Sequence, residues 1–310
     1  MTAIRCENLS KFYKKGKVKA LHNLNLQVAD HTVFGFLGPN GAGKTTTIKI
    51  LTGLMPQSSG QAWVAGEKLE NNSMSLRKKI GYLSQEPRLY TWMTAIELLD
   101  FTGRIYGMST KERSFRMEEL IELSDLKHAA KRRISTYSGG MVQRLGIAQA
   151  LMSKPEVIFL DEPTSSLDPI GRKEVLDMIK NLATDSTIFL STHILEDVER
   201  VCDTVAILNH GELLIVEKTE LLKKKYSSDI LELEMLTNEE ASKLTNICSH
   251  NEHCCFLKNE ENLLHFESSI NSEAKALILK EIIENGLTLV RLETKKASLE
   301  DVFIKIIGKS

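Results

Sequence analysis

Short apolar stretches alternate with amphipathic ones along the first two thirds of the chain. Residues 33–37 and 157–160 are almost entirely apolar, which is typical of strands that are buried on both faces. Between them, residues 93–126 carry apolar residues at helical spacing among many charges, and residues 141–152 form a further amphipathic stretch with helical spacing. Strands that alternate with helices predict an α/β fold.

The first 30 residues also show strand patterns, at residues 3–9 and 20–28. Residues 11–17 lie between these two strands and are predicted to form a basic turn that contains Tyr13. An aromatic ring at this place can stack on an adenine base. A surface tyrosine that packs on its own hairpin explains the same position equally well.

The pattern changes after a Lys-rich helical connection at residues 218–228. Beyond it the predicted order is βαββαβ, followed by a last helix at residues 298–307, which indicates a small ferredoxin-like module. We therefore expect a main domain at 1–218 and an accessory α+β domain at 219–310.

Composition excludes some partners and leaves others open. The 310 residues suit two domains, and 40 Lys and Arg against 41 Asp and Glu give a net charge of −1, so no nucleic-acid partner is expected. Five cysteines, an odd number, without an apolar signal segment favour a reducing cytoplasm. No apolar run reaches the roughly 18 residues of a spanning helix, so any membrane role would be that of a peripheral subunit.

A glycine-rich loop joins the strand at Val33–Leu37 to the next helical segment. Backbone N–H groups of such a loop, together with the helix N-terminus, form a concavity for phosphates. Lys44 is expected to reach the β- and γ-phosphates, and the Thr45 hydroxyl is expected to bind Mg²⁺. The candidate nucleotide-binding residues here are Gly38, Pro39, Asn40, Gly41, Ala42, Gly43, Lys44, Thr45 and Thr46.

Two carboxylates, Asp161 and Glu162, follow the buried strand at residues 157–160. The carboxyl end of a strand in an α/β sheet is where ligands bind. Asp161 can hold Mg²⁺ through water, and Glu162 can polarise a water molecule for attack on the γ-phosphate. A helix-capping pair is the alternative interpretation.

Two more polar residues, Gln85 and His193, end predicted strands. Gln85 can contact Mg²⁺ or the attacking water, and His193 can hydrogen-bond a γ-phosphate oxygen. Taken alone, each is explained as well by an ordinary loop glutamine and a structural histidine.

A second candidate anion site lies at Ser138, Gly139 and Gly140, which open the amphipathic helix at residues 141–152. One nucleotide does not need two such helix ends from one chain. The second end is therefore expected to serve a nucleotide that is held by another subunit.

The cluster Cys248, His250, His253, Cys254 and Cys255 contains soft metal ligands. It lacks the two-pair spacing of a structural zinc site. A plain junction between a loop and a strand is the favoured interpretation, and metal binding is left open.

In their order along residues 2–217, these motifs resemble the nucleotide-binding subunit of an ATP-binding cassette (ABC) transporter. The loop at 38–45 is similar to the Walker A motif, 157–162 to Walker B, and residues 138–143 to the signature motif, with Tyr137 where leucine is usual. By the same resemblance Gln85 is the Q-loop residue, Asp168 lies in the D-loop, His193 is the switch histidine, and Tyr13 stacks on adenine.

The resemblance implies a P-loop NTPase core with an antiparallel β-subdomain and a helical subdomain at about residues 90–152. It further implies that two such domains form a homodimer or a heterodimer, with ATP between the phosphate loop of one and Ser138 and Gly140 of the other. The chain would then be an Mg²⁺-dependent ATPase on the inner face of the cell membrane, bound to integral membrane permease subunits.

The tail at residues 297–303 resembles that of ATPase subunits of bacterial exporters for drugs, antibiotics, ions or polysaccharides, whose permease is a separate chain. This resemblance implies export. Three alternative functions are considered. The first is a soluble cassette ATPase that acts in translation or DNA repair, and the second is a small-molecule kinase. The third is a protein that binds ATP without hydrolysing it. The transported substrate is not predicted.

Overall fold

The computed structural model describes residues 2–13, 16–70, 74–226, 230–249, 256–267, 272–295 and 299–307. The chain forms two compact units, Met1–Thr219 and Glu220–Ser310. Each unit has its own hydrophobic core.

The first unit alternates strands and helices, as the sequence pattern predicted. Its strands are β1 (Thr2–Tyr13), β2 (Val18–Ala29), β3 (Val33–Leu37), β4 (Ser59–Val64), β5 (Glu67–Lys68), β6 (Ile80–Leu83), β7 (Val157–Asp161), β8 (Thr187–Thr192), β9 (Thr204–Asn209) and β10 (Glu212–Lys218). Its helices are α1 (Lys44–Leu51), α2 (Met74–Lys79), α3 (Ala95–Ile105), α4 (Thr110–Leu123), α5 (Gly139–Ala150), α6 (Pro169–Leu182) and α7 (Leu195–Val201), and α8 (Thr219–Tyr226) follows β10.

A six-stranded sheet in the order β10-β9-β3-β8-β7-β6 is the centre of this unit. All its neighbouring strands are parallel except β10, which is antiparallel to β9. Strands β3, β7 and β8 are buried at every position, because helices cover parallel sheets on both faces. Their carboxyl ends lie side by side, with Leu37 opposite Thr192 and Asp161 opposite Ser191. The predicted α/β architecture is confirmed.

A second, antiparallel sheet with the order β2-β1-β4-β5 shares one hydrophobic core with the central sheet. Phe189 is the centre of the aromatic part of this core, with ring centroids 5.5 Å from Phe34, 5.1 Å from Phe36 and 5.6 Å from Phe159. Truncating such a buried ring to alanine costs about 3–5 kcal/mol.

Helices α3 and α4, which lie between β6 and β7, each start with a capping box. At α3 the Thr94 hydroxyl accepts from the backbone N–H of Glu97, and the Glu97 carboxylate accepts from the Thr94 backbone N–H. Ser109 and Glu112 repeat the arrangement at α4. The two helices are joined by an ion pair in which Arg113 Nε lies 2.8 Å from Asp100 Oδ1.

Local differences from the sequence predictions occur at four places. Residues 11–13 were expected in a turn but continue β1, because Lys11, Phe12 and Tyr13 pair with β2. Helix α1 begins at Lys44, inside the segment predicted as the phosphate loop. The short helices α2 and α7 were not predicted, since six and seven residues are too few for a clear periodicity.

The second unit is an antiparallel sheet with helices. Its elements are β11 (Ile230–Met235), α9 (Asn238–Ser249), β12 (Phe256–Glu260), β13 (Leu263–Glu267), α10 (Ser272–Glu284), β14 (Leu289–Lys295) and α11 (Leu299–Ile307). The strand order is β12-β13-β11-β14. This is the order expected of the ferredoxin-like module, in which β13 lies between the first two strands of a split βαβ unit.

Of the predicted cysteine and histidine cluster, only Cys248 belongs to the described residues, where it is buried in α9. The other four members lie outside them. Within the described ranges, no three His, Cys, Asp or Glu side chains are grouped so that they could hold a metal ion. In the same part of the chain, no helix combines the length and the apolar character needed to cross a bilayer.

Candidate nucleotide site

The phosphate loop connects β3 to α1, and at two of its glycines the surrounding backbone leaves no room for a side chain. A Cβ atom at Gly38 would lie 2.3 Å from the carbonyl oxygen of Leu208, and one at Gly43 would lie 2.4 Å from that of Ala20. Gly43 also has a φ of +108°, which other residues rarely adopt. The loop therefore has room for backbone alone at these two positions.

Lys44 points back under this loop. Its side chain is 4 % exposed, and Nζ donates to the carbonyl oxygens of Gly38 (2.8 Å) and Pro39 (3.2 Å). The same Nζ lies 3.1 Å from Glu162 Oε1. A buried ammonium group requires such compensation by carbonyls and a carboxylate.

Asp161 and Glu162 stand at the end of β7, next to the end of β8. Asp161 Oδ1 accepts hydrogen bonds from the Ser191 hydroxyl (2.6 Å) and the Thr45 hydroxyl (3.2 Å). Glu162 has a φ of +46°, a left-handed conformation, and its N–H donates to the Ser191 carbonyl at 3.0 Å. This turn directs the two neighbouring carboxylates to different partners.

The negative charge of Asp161 acts on the adjacent strand β6. Burial, and after it the charge of Asp161, raises the pKa of Tyr82 to about 12. Tyr82 is therefore a neutral phenol at every physiological pH.

Gln85 and His193 both contact Glu162 Oε2. Gln85 Nε2 donates to this oxygen at 3.3 Å, and His193 Nδ1 lies 3.1 Å from it. An Nδ1–H tautomer of His193 fits the contact, because the carboxylate can only accept. Lys44, Gln85 and His193 thus converge on one carboxylate.

These residues surround a cleft of about 550 Å³. Its walls are Ala20, Asn40, Gly41, Gly43, Lys44, Thr45, Thr46, Gln85, Glu162, Ser165, Ser166 and His193. Among the other predicted residues, Gly38 and Pro39 form the start of the loop, and their carbonyl oxygens accept hydrogen bonds from Lys44. Ala42 is buried. Asp161 lies behind Thr45 and is 1 % exposed.

Tyr13 does not line this cleft. It ends β1, where its hydroxyl lies 3.0 Å from Met55 Sδ and the ammonium group of Lys11 lies 5.5 Å from its ring centroid. A role in adenine stacking stays a prediction.

Ser138, Gly139, Gly140 and Asp168 also lie outside the cleft of their own chain. The Ser138 hydroxyl accepts from the N–H of Met141 at 3.3 Å and caps α5, while Asp168 Oδ1 accepts from the N–H of Gly171 at 2.9 Å and caps α6. The two helix starts are adjacent, since a Cβ atom at Gly140 would be 3.4 Å from the Cα of Gly171. Ser138 and Gly139 are exposed.

Sequence reasoning missed four residues of the site. Three of them line the cleft, namely Ala20, Ser165 and Ser166. The fourth, Ser191, contacts the carboxylate of Asp161. Ser165 donates to the carbonyl of Glu162 at 3.1 Å. A serine inside the apolar strand β8 was the one available signal for Ser191, since a buried hydroxyl needs a partner.

The donor set fits Mg²⁺. The Thr45 hydroxyl and the Asp161 carboxylate lie 3.2 Å apart at the mouth of the phosphate loop, and hard oxygen ligands are those that Mg²⁺ prefers. The glycine-lined loop above Lys44 fits a chain of phosphates for the steric reasons given above.

Two family models match the chain, one in each unit. A model described as ABC transporter matches residues 21–165. A model described as the C-terminal domain of DrrA1-3-like ATP-binding proteins matches residues 218–307.

Curated relatives match over nearly the whole chain. An uncharacterized ABC transporter ATP-binding protein of Bacillus subtilis, YxlF, is 39% identical over 97% of this chain and 98% of its own. The bacitracin transport ATP-binding protein BcrA of Bacillus licheniformis is 36% identical over 99% and 98%. Neither name refers to translation or DNA repair, so nothing favours that alternative.

A solved structure shares the fold of about two thirds of this chain. It is a dimeric, post-hydrolysis state of the ATP-binding cassette MJ0796 bound to ADP and Pi, and it matches with a TM-score of 0.63 at 28% identity. The match covers 69% of this chain and 98% of that one. By its relatives, its family models and its fold, the chain belongs to the ATP-binding ATPase subunits of ABC transporters.

Proposed function

We propose that this chain binds ATP with Mg²⁺ in the cleft and hydrolyses it to drive export through a permease that is a separate chain. The observation that carries the proposal is the convergence of Lys44, Gln85 and His193 on Glu162, next to the phosphate loop. A cation, an amide and an imidazole around one carboxylate suit the control of a water molecule better than the binding of a substrate hydroxyl.

The phosphates are held by the loop and the start of α1. The N–H groups of residues 40–46 and the positive end of the α1 dipole favour negative charge at this point. Lys44 exchanges its contact with Glu162 for the β- and γ-phosphates, so that ammonium and carboxylate separate when nucleotide binds.

Thr45 and Asp161 would hold Mg²⁺, joined by Gln85, which lines the same cleft. When bound there, Mg²⁺ would supply positive charge against the negative charge of the phosphates. Ser191 fixes Asp161 from behind through its 2.6 Å hydrogen bond.

Glu162 acts as the general base. Gln85 and His193 occupy its Oε2, so Oε1 is the oxygen that accepts a proton from the attacking water once Lys44 binds phosphate. His193 is 39 % exposed on the cleft side, where it can also reach a γ-phosphate oxygen.

A second ATPase chain completes the site. Ser138 and Gly139 are exposed at the start of α5 and do not reach the cleft of their own chain. In a head-to-tail homodimer or heterodimer they contact the nucleotide of the partner, with Asp168 at the same seam. The dimeric state of the MJ0796 cassette supports this arrangement.

Export is supported by the relatives and by the second unit. BcrA is a bacitracin transport protein, and the matching C-terminal family is that of DrrA1-3-like ATP-binding proteins. The chain then lies on the inner face of the membrane, bound to integral permease subunits.

The test uses Glu162→Gln in the full-length chain, expressed with an affinity tag in its native membranes and purified with ATP. Loss of the base lowers hydrolysis by roughly 100-fold or more while ATP binding remains. Mass spectrometry then identifies the proteins that co-purify. The matched control is Glu122→Gln, which alters an exposed carboxylate paired with Lys127 and should hydrolyse ATP at the unaltered rate.

Recovery of a multi-span membrane protein supports the proposal, and its identity indicates the cargo. Recovery of ribosomes, DNA or soluble partners alone contradicts it and favours a soluble cassette ATPase. Equal hydrolysis by the two variants contradicts the role of Glu162.

A further inference from the structure

Asp197 is a buried carboxylate that connects three segments around the site. It lies in α7, which begins two residues after His193, and it is 1 % exposed. Its Oδ1 accepts from Arg172 Nε at 2.6 Å, and its Oδ2 accepts from the hydroxyl of Thr164. Both oxygens are thus held by side chains from other segments.

The partners of Asp197 belong to segments with predicted roles in hydrolysis. Thr164 follows Glu162 by two residues and is 2 % exposed. Arg172 is in the first turn of α6, the helix that Asp168 caps. One carboxylate therefore joins the segment after Glu162, the helix after His193 and the helix after Asp168.

The two residues of the proposed hydrolytic pair need such support. Glu162 is not a glycine, yet it has a φ of +46°, a conformation that persists only when its surroundings hold it. His193 is more than a third exposed, and within the described part of the chain Glu162 Oε2 is the one polar partner of its ring. The segments that follow both residues are fixed by the same carboxylate, Asp197.

We propose that Arg172 and Asp197 are positioning residues for ATP hydrolysis: through Thr164 and α7 they hold Glu162 and His193 in contact, and they tie this pair to the start of α6. This rests on the proposed function of Glu162 and His193. Because Asp168 at the start of α6 belongs to the proposed dimer seam, Arg172 links closure of the seam to the placement of the base.

Arg172 pairs with two carboxylates. Its Nη2 lies 3.0 Å from Oε2 of Glu196, which is 83 % exposed, whereas Asp197 is its buried partner. Screening by solvent makes the Glu196 contact the weaker one.

A second ion pair between the same two helices provides a matched control. Arg200 of α7 lies 2.7 Å from Asp177 of α6, but these side chains are 40 % and 52 % exposed, and among the residues that the structure describes neither hydrogen-bonds Thr164 or Asp197. Arg200→Met and Arg172→Met therefore each remove one arginine that bridges α6 and α7, and only the second also affects Asp197.

The test measures steady-state ATP hydrolysis and equilibrium ATP binding of the full-length chain, purified with any membrane partner. Arg172→Met should lower kcat by about 10- to 100-fold and leave KM and ATP affinity within about twofold, because the phosphate loop is untouched. Arg172→Lys, which keeps the charge, should recover part of the loss. Arg200→Met should match the unaltered chain.

A double-mutant cycle separates positioning from general stability. If Arg172 acts through His193 and Glu162, then Arg172→Met should cost less than about twofold in a His193→Ala background, since interacting residues are not additive. Thr164→Val removes the hydroxyl at constant shape and should reproduce the loss of kcat, which keeps the test valid if Arg172→Met does not fold.

Equal effects of Arg172→Met and Arg200→Met, an effect on KM alone, or full additivity with His193→Ala would overturn the positioning role. If the unaltered chain hydrolyses ATP and these results occur, only this inference fails. If the unaltered chain with its partner does not hydrolyse ATP, the proposed function fails and the inference fails with it.

Discussion

Ser191 contacts both acidic residues at the end of β7. Its hydroxyl donates to Asp161 Oδ1 at 2.6 Å and accepts from the N–H of Glu162 at 3.2 Å. One buried side chain thereby orients the proposed Mg²⁺ ligand and the backbone of the proposed base.

We expect Ser191→Ala to raise the Mg²⁺ concentration needed for half-maximal ATP hydrolysis by roughly tenfold or more. A hydrogen bond to a charged group contributes about 1.5–3 kcal/mol, and its loss leaves Asp161 less well oriented. The measurement is a Mg²⁺ titration of the ATPase rate at fixed ATP.

Ser186→Ala is the control for this variant. Ser186 precedes the other end of β8, is buried, and donates to the Pro155 carbonyl at 2.7 Å. It should lower stability without changing the Mg²⁺ requirement. An equal shift in both variants would show that the effect is not specific to the site.

Sequence patterns predicted those site residues that lie in contiguous motifs. They did not predict the residues that reach the site only because two strands pair. Lys44, Thr45, Asp161 and Glu162 follow strands in recognisable runs. Ser191 acts on Asp161 because β7 and β8 place them opposite each other, and no local pattern encodes that pairing.

At the scale of elements, the capping boxes of α3 and α4 depend on ionised glutamates. Hydrogen bonds from the backbone and then the side chain of Thr94 lower the pKa of Glu97. The side chain and then the backbone of Ser109 lower that of Glu112. A carboxyl group with a lower pKa in the folded state stabilises the fold above its unfolded pKa, and this contribution is lost as the pH falls through the folded value.

We therefore expect acidification below about pH 4.3, the ordinary glutamate pKa, to loosen the first turns of α3 and α4. Hydrogen exchange of the backbone N–H groups of Glu97 and Glu112, followed from neutral to acid pH, measures this. Replacing Glu97 and Glu112 by glutamine should remove most of the pH dependence at these turns. Glu122→Gln, an exposed change elsewhere on α4, should preserve it, and the opposite pattern would contradict the assignment.

Element types were more predictable than their ends. Apolar runs predicted the buried strands, and the serine cap Ser138 predicted the start of α5. Tertiary pairing extended β1 through Tyr13 against the turn-like composition of residues 11–17. The order of the last seven elements was readable because strands and helices there alternate with clear spacing.

At the scale of the whole molecule, every residue that lines the cleft lies between Ala20 and His193, within the first unit. A chain that ends at Tyr226 keeps this unit and the whole of α8. The second unit is hypothesised to tighten or regulate dimerisation.

We expect the chain shortened to residues 1–226 to bind ATP within about threefold (~0.7 kcal/mol) of the full-length affinity, as measured by equilibrium binding. Its ATP-dependent dimerisation and its transport with the permease should be altered. Unchanged dimerisation and transport would exclude the hypothesis for the second unit, whereas a large loss of ATP affinity would contradict the independence of the cleft.

The position of β3 in the central sheet has a consequence for synthesis of the chain. β3 pairs with β8 and β9, so the strand that leads into the phosphate loop has no sheet neighbour until residues 187–209 have left the ribosome. At roughly 5–20 residues per second, many seconds pass between translation of the loop and completion of its support. During that interval we expect the nascent chain to gain no stability from ATP, because the strand that leads into the phosphate loop is still unpaired.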